Sequence, residues 1–241
     1  ATYQPHIIGT LPFSEIDKAY KGYRYAINLN SIKQSQTMFA RRVYELLCSN
    51  TITVSNFSRG VRLMFGDLVQ VSDSGREIVE RLRRIESTAE HAEKYRLAGL
   101  RKVLSEHTYE DRLNYIVSQV IGSKVQLALP EMQVIAPVKS QQEIDDALAN
   151  FYRQNYEKKK LLVVCGGELN AEAVKAQLTG RQEKFNKNIN NGVEFIDTKV
   201  VQNCTIPGLQ GENIWIAAFH AADYYGDNYL TDIALATRYT D

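Results

Sequence analysis

Apolar and polar positions change their spacing several times along the chain, and each change marks an element. In the first 72 residues, short apolar runs alternate with segments of helical periodicity. HIIG (6–9), YAINLN (25–30), TITVSN (51–56) and DLVQVS (67–72) read as strands. SEIDKAYKG (14–22) reads as a helix with Ser14 at its N-cap. SQTMFARRVYELLCSN (35–50) reads as a long amphipathic helix, with Phe39, Val43, Leu46 and Leu47 at helical spacing. Strand–helix alternation of this kind predicts a parallel sheet with helices on both faces.

From residue 74 to about 121 the pattern turns almost wholly helical, with charges such as EIVERLRRIE on solvated faces. GSKVQLALPE (122–131) reads as a linker, in which Gly122 ends a helix and Pro130 precedes a strand. A second α/β series follows: strand MQVIAPV (132–138), a helix over 140–154, strand LLVVCGG (161–167), helix AEAVKAQLTG (171–180) and strand VEFIDTKVV (193–201). The expected fold class is α/β: two Rossmann-like units, parallel sheets flanked by helices, joined near residues 122–130.

Composition narrows the function classes. A formal net charge of +1 over 241 residues argues against a nucleic-acid partner held by bulk phosphate attraction. No run of 18 apolar residues is present, so no membrane span is expected. Three cysteines, Cys48, Cys165 and Cys204, lack CxxC spacing and suggest neither a disulfide framework nor a zinc site. Cys48 and Cys165 read as buried reduced thiols, which points to a cytoplasmic protein.

Candidate chemistry concentrates in residues 28–60. A strand ends in Asn28-Leu29-Asn30, and a polar loop then leads to Thr37 and the long helix. A loop-to-helix start at the carboxyl end of a parallel strand is where open α/β sheets bind ligands, and free N–H groups there favour a phosphate. One of Arg41 and Arg42 can add positive charge, and the Glu45 carboxylate can accept hydrogen bonds from ribose hydroxyls. The same residues also suit an ordinary amphipathic helix with a capped start and exposed arginines.

NSIKQSQTMFARRVYELLCSNTITVSN (30–56), continued by SRG (58–60), FGDLV (65–69) and HTYEDRL (107–113), resembles the group 1, CgeB-like glycosyltransferases of the GT-B type. The likeness covers roughly residues 6–120. It implies that residues 1–124 are the donor-binding, C-terminal part of a GT-B domain. It also implies that Glu45 matches the ribose-binding glutamate and that Ser35, Gln36 and Thr37 face the diphosphate. Residues 9–13, with Thr10 and Leu11, would contact the base largely through backbone. Arg41 and Arg42 match the family's arginine pair. The acceptor-binding domain of such an enzyme would lie upstream, so a fragment of a longer protein is expected.

Residues 130–241 resemble the start of a family 2, GT-A-like glycosyltransferase. Its opening strand is matched by MQVIAPVKS (132–140). Where that family carries two aspartates after its second strand, VVCGGE (163–168) has Cys165 and Gly166. HAADYYGDNYL (220–230) stands where the metal motif falls, with His220 and Ala222 in place of paired aspartates and Asp223 retained. One carboxylate and an imidazole make a poor magnesium site, so no metal or other cofactor is expected. His107 reads as a packing or capping residue.

The implied function is binding of a nucleotide-diphospho-sugar, most readily a UDP-sugar, for transfer to a glycan or cell-surface acceptor. The alternative is a non-catalytic scaffold or glycan-binding module in which Tyr224, Tyr225 and Tyr229 either stack on sugars or pack in the core. An unfinished sheet edge leaves room for a second copy, so a homo-oligomer is also an expectation.

Overall fold

Hydrophobic periodicity breaks after residue 121, and the chain divides there. In the computed structural model it forms two compact units, Ala1–Leu127 and Ala128–Asp241. Residues 2–124, 129–179, 192–201 and 214–240 are described. Each unit is a parallel sheet flanked by helices, the α/β class that the alternation predicts.

The first unit opens with two 3-10 turns, Gln4–His6 and Phe13–Glu15, the second running into α1 (Ile16–Gly22). Then come β1 (Tyr25–Asn28), α2 (Arg42–Cys48), β2 (Ile52–Ser55), α3 (Arg59–Phe65) and β3 (Val69–Val71). The helical stretch is α4 (Gly75–Ile85), α5 (Ala89–Glu106) and α6 (Tyr109–Ile121). The sheet runs β1-β2-β3, and its register sets Asn28 beside Ser55 and Ser55 beside Val71.

Helices α2, α3 and α5 cover this sheet through Val43, Leu47, Val61, Phe65 and Val103, which pack with Val69 and Val71. Gly99 lets α5 approach α2 closely, since a Cβ there would lie 2.9 Å from Leu47 Cδ2. The last three helices start on side-chain caps: Ser74 accepts from Glu77 N, Thr88 from His91 N, and Thr108 forms a reciprocal capping box with Asp111. Gly122 closes α6 with φ 70°, the left-handed conformation expected of a C-terminal glycine.

Five readings need correction. The strand expected over 193–201 ends at Asp197, and Thr198–Val201 is helical. HIIG forms no strand: Pro5 starts a 3-10 turn, and Ile7 and Ile8 pair with no neighbour and are exposed. Ser14 lies inside a 3-10 turn and caps nothing, because α1 begins at Ile16 behind Glu15. The helix expected over 35–50 begins only at Arg42. Asn30 Oδ1 takes the Ala40 amide (2.9 Å) that a helix would bond to residue 36, and Ser35 Oγ accepts from Thr37 N (3.3 Å) and Met38 N (3.0 Å) as a cap with no helix behind it. Cys48, on the outer face of α2, is exposed.

The second unit comprises β4 (Glu131–Val138), α7 (Gln141–Arg153), β5 (Lys159–Cys165), α8 (Ala171–Thr179), β6 (Val193–Asp197), α9 (Thr198–Val201), β7 (Ile214–Ala218) and α10 (Tyr229–Ala236). Its sheet order is β6-β5-β4-β7, all parallel. Near-continuous apolar runs in β4 and β5 are buried on both faces, as central parallel strands require. Val134, Ala136, Leu161 and Val163 pack with Ile144, Leu148 and Phe151 of α7 and with Leu230 and Ala234 of α10. Cys165 is buried, and burial pushes its thiol pKa up. Cys204 lies outside the described residues.

Candidate functional site

Three strands of the first unit end side by side, and the loops that leave them are tied together there. Asn28 Nδ2 (3.3 Å) and Asn30 Nδ2 (3.0 Å) both donate to Ser55 Oγ. Asn56 brackets the backbone of Asn30, with Oδ1 accepting from its N–H (2.8 Å) and Nδ2 donating to its carbonyl (2.9 Å). From the end of β3, Asp73 accepts from Phe57 N (3.0 Å) and pairs with Lys33 Nζ (2.8 Å). Those two bonds, Lys33 first, hold the Asp73 carboxyl below the usual carboxylate range. Asn28 and Ser55 are fully buried and Asn30 nearly so, giving a polar floor beneath the carboxyl edge.

Above that floor, residues 29–40 enclose an open cleft of about 480 Å³, lined by Leu29, Asn30, Ser31, Ile32 and residues 37–40. Open α/β sheets bind ligands at this edge. Lys33, whose ammonium is paired with Asp73, follows the first cleft-lining stretch in sequence, and its carbonyl accepts from the Arg59 N–H at 2.8 Å. The polar groups of the cleft are hydroxyls and amides, a surface suited to hydrogen-bonding a polar ligand.

The expected site residues fall into three places. Ser35, Gln36 and Thr37 form the tip of the loop, with Thr37 on the cleft wall. Thr10 and Leu11 line a second cleft of about 500 Å³ with Ile8, Gly9, Ile16 and Tyr23. Arg41 and Glu45 stand one turn apart at the start of α2, with Arg41 Nε 2.8 Å from Glu45 Oε1. Tyr20 OH donates to the other oxygen of Glu45 at 3.4 Å. The carboxylate first, then Tyr109, raises the Arg41 pKa further, so the guanidinium is always charged. Arg42 is exposed on the first turn of α2.

Asn30, Ser55, Asn56 and Gly60 are residues that periodicity did not single out. The available signal was polar side chains where apolar strands end: Asn28 and Asn30 at β1, Ser55 and Asn56 at β2. His107, at the C-terminus of α5, packs edge-on against Tyr44 (5.4 Å) and Phe65 (5.6 Å), so it packs as read. Burial, then Arg112, pushes its pKa down.

In the second unit the segment after β7 lies at the point where strand order reverses beside β4, the usual ligand position of such sheets. It folds as an internally bonded loop. Asn150 of α7 donates to Asp223 O (3.0 Å) and accepts from Tyr225 N (3.2 Å). Gln154 donates to Gly226 O (3.0 Å) and accepts from Leu230 N (3.0 Å). Tyr225 stacks on Phe219 with ring centroids 4.3 Å apart, and its hydroxyl accepts from His220 N. Tyr225 and Tyr229 therefore belong to the core, while Tyr224 is 74% exposed under the Arg153 guanidinium. Among the described residues no three His, Cys, Asp or Glu side chains gather as metal ligands would. Nor is any described helix long and apolar enough to cross a membrane.

No curated protein matches the chain. Residues 3–118, a little under half of the chain and nearly all of the first unit, match the family model described as glycosyl transferase-like, so this unit is similar to a glycosyltransferase region.

Proposed function

We propose that the first unit binds a nucleotide-diphospho-sugar, with UDP-sugars as the preferred class, for transfer of the sugar to a glycan or cell-surface acceptor. The observation that carries this reading is the pinned loop 29–40, whose open cleft sits at the carboxyl edge of a parallel sheet within the glycosyl transferase-like region. In this reading the hydroxyl- and amide-bearing tip at residues 35–37 faces the diphosphate. Glu45 accepts from the ribose hydroxyls, and residues 9–13 meet the base. Arg41 and Arg42 supply charge to the departing diphosphate, stabilisation that matters most in the transition state. Because arginines provide that charge, binding is expected to be independent of divalent cations.

Calorimetric titration of the chain with UDP, UDP-sugars and GDP-sugars, with and without manganese, tests the reading. Metal-independent binding of a UDP ligand is expected, weakened about tenfold or more in Glu45→Ala, the scale of one lost charge-assisted hydrogen bond. Unchanged affinity in that variant removes Glu45 from the site, and no nucleotide binding at all refutes the reading. A second reading, a glycan-binding module without nucleotide affinity, is favoured by one observation: the exposed Tyr224 ring on the loop that follows β7.

A further inference from the structure

The loop between β1 and α2 begins and ends at one side chain. Asn30, only 7% exposed, accepts from Ala40 N through Oδ1 (2.9 Å) and donates to Ser55 Oγ through Nδ2 (3.0 Å). Its own N–H and carbonyl are both held by the Asn56 side chain. A single amide thus closes the loop across ten residues and fastens both ends to the last turn of sheet at β2. Asn30 borders the cleft, but one donor and one acceptor of its side-chain amide and both of its main-chain groups are already bonded within the fold.

The tip of the loop is seated separately. The Arg59 amide at the start of α3 donates to Lys33 O (2.8 Å), and the next residue is Gly60. A Cβ at Gly60 would lie 2.8 Å from Gln36 O and 2.9 Å from Phe39 Cδ1. The first of these is backbone, which cannot swing aside as a side-chain end can. The loop therefore rests on a helix surface that only glycine keeps clear. Two independent devices, one at the stem and one at the tip, hold the same few residues in place. A loop of this length without secondary structure that is nonetheless tightly held is usually a binding loop, and holding it before the ligand arrives lowers the ordering cost of binding.

We infer that Asn30 is a positioning residue for the diphosphate-facing loop, and that Gly60 is the seat that fixes the loop's tip. Neither touches the ligand; they set where Ser35, Gln36 and Thr37 stand. The inference rests on the nucleotide-sugar reading, and it adds a specific consequence. Disturbing the stem or the seat weakens ligands that carry a diphosphate and spares those that do not.

The test compares UDP with uridine on the full chain, by calorimetry for the first and ligand-observed NMR for the second. Asn30→Ala frees the stem. Gly60→Ala pushes on the tip while leaving every Asn30 bond in place. Hydrogen exchange at the Ala40 amide reports the stem, and protection of α5 amides reports that the unit is folded. The expected result is a loss of UDP affinity of about tenfold or more in both variants, with uridine affinity changed less than about threefold. Ala40 protection should be lost in Asn30→Ala. Parallel losses for UDP and uridine would show a general structural role and overturn the inference, as would unchanged UDP affinity in Gly60→Ala. If Asn30→Ala unfolds the unit, Gly60→Ala decides alone. Failure of the wild-type chain to bind UDP overturns the nucleotide reading, and the positioning role with it. Binding by the wild type that both variants retain overturns the positioning role only.

Discussion

Asn150→Ala should loosen the second unit by an amount that the geometry sets. Asn150 is 4% exposed and its amide makes three bonds at the loop that follows β7. Nδ2 donates to Asp223 O at 3.0 Å, and Oδ1 accepts from Tyr225 N at 3.2 Å and from Arg153 Nη1 at 2.6 Å. Each such bond is worth about 1 kcal/mol net, and the guanidinium bond somewhat more. Asp223 is exposed and Tyr225 only partly buried, so water can rescue part of what is orphaned. A loss of about 3 kcal/mol follows. Trp215, the chain's single tryptophan, lies on β7, so its fluorescence during urea unfolding reads the second unit alone. With a urea slope of about 1.5 kcal/mol per molar, the midpoint should fall by about 2 M. Asn150→Asp keeps the acceptor for Tyr225 and Arg153 but loses the donor to Asp223, so its midpoint should fall by less than half as much. A shift below about 0.3 M in Asn150→Ala would refute the claim that this amide holds the loop.

His107 should make the first unit pH-sensitive. Its folded pKa is depressed by burial and by Arg112, so the unfolded chain takes up the proton first. The stability this histidine contributes is complete above the unfolded value of about 6.5 and falls as pH drops below it towards the lowered folded value. Urea unfolding followed by α5 amide exchange at pH 7.5 and 5.5 should show that fall, and His107→Phe should flatten it; an equal fall in the variant would assign the effect to other groups. The thiols should separate by reactivity: a thiol reagent under native conditions should label exposed Cys48 quickly and buried Cys165 only after unfolding. Peptide mapping checks this, and equal labelling of the two would contradict the burial pattern.

Much of the fold was legible because its elements satisfy one simple requirement each. β4 and β5 are apolar runs long enough to be central strands, and α7 carries a Ser140 cap and a single apolar face, so its bounds match the expectation within a residue. HIIG met the same compositional requirement and still failed as a strand. Two isoleucines form a strand only beside a neighbour, and none of the described residues pairs with them. Pairing is a property of the whole sheet, and a four-residue pattern does not carry it.

Helix α2 shows why the candidate site was harder to read than the fold. The periodicity of Phe39, Val43, Leu46 and Leu47 is real: all four residues are buried or partly buried, and Phe39, Val43 and Leu47 pack in the first core. Yet Phe39 reaches that core from a loop. A helix spanning 35–41 would need the Ala40 amide for its bond to residue 36, and the Asn30 side chain holds it instead, while Ser35 Oγ accepts from Thr37 N and Met38 N as a cap with no helix behind it. One of those side chains sits ten residues away in sequence, where periodicity cannot see it. The consequence reaches the chemistry. A ligand phosphate arriving at the loop would not meet a ready row of free helix amides, because two of them are satisfied by Ser35 and one by Asn30. Recognition of a diphosphate there has to come from hydroxyls, the remaining loop amides and cationic side chains, held in place by the buried asparagine and the glycine seat beneath.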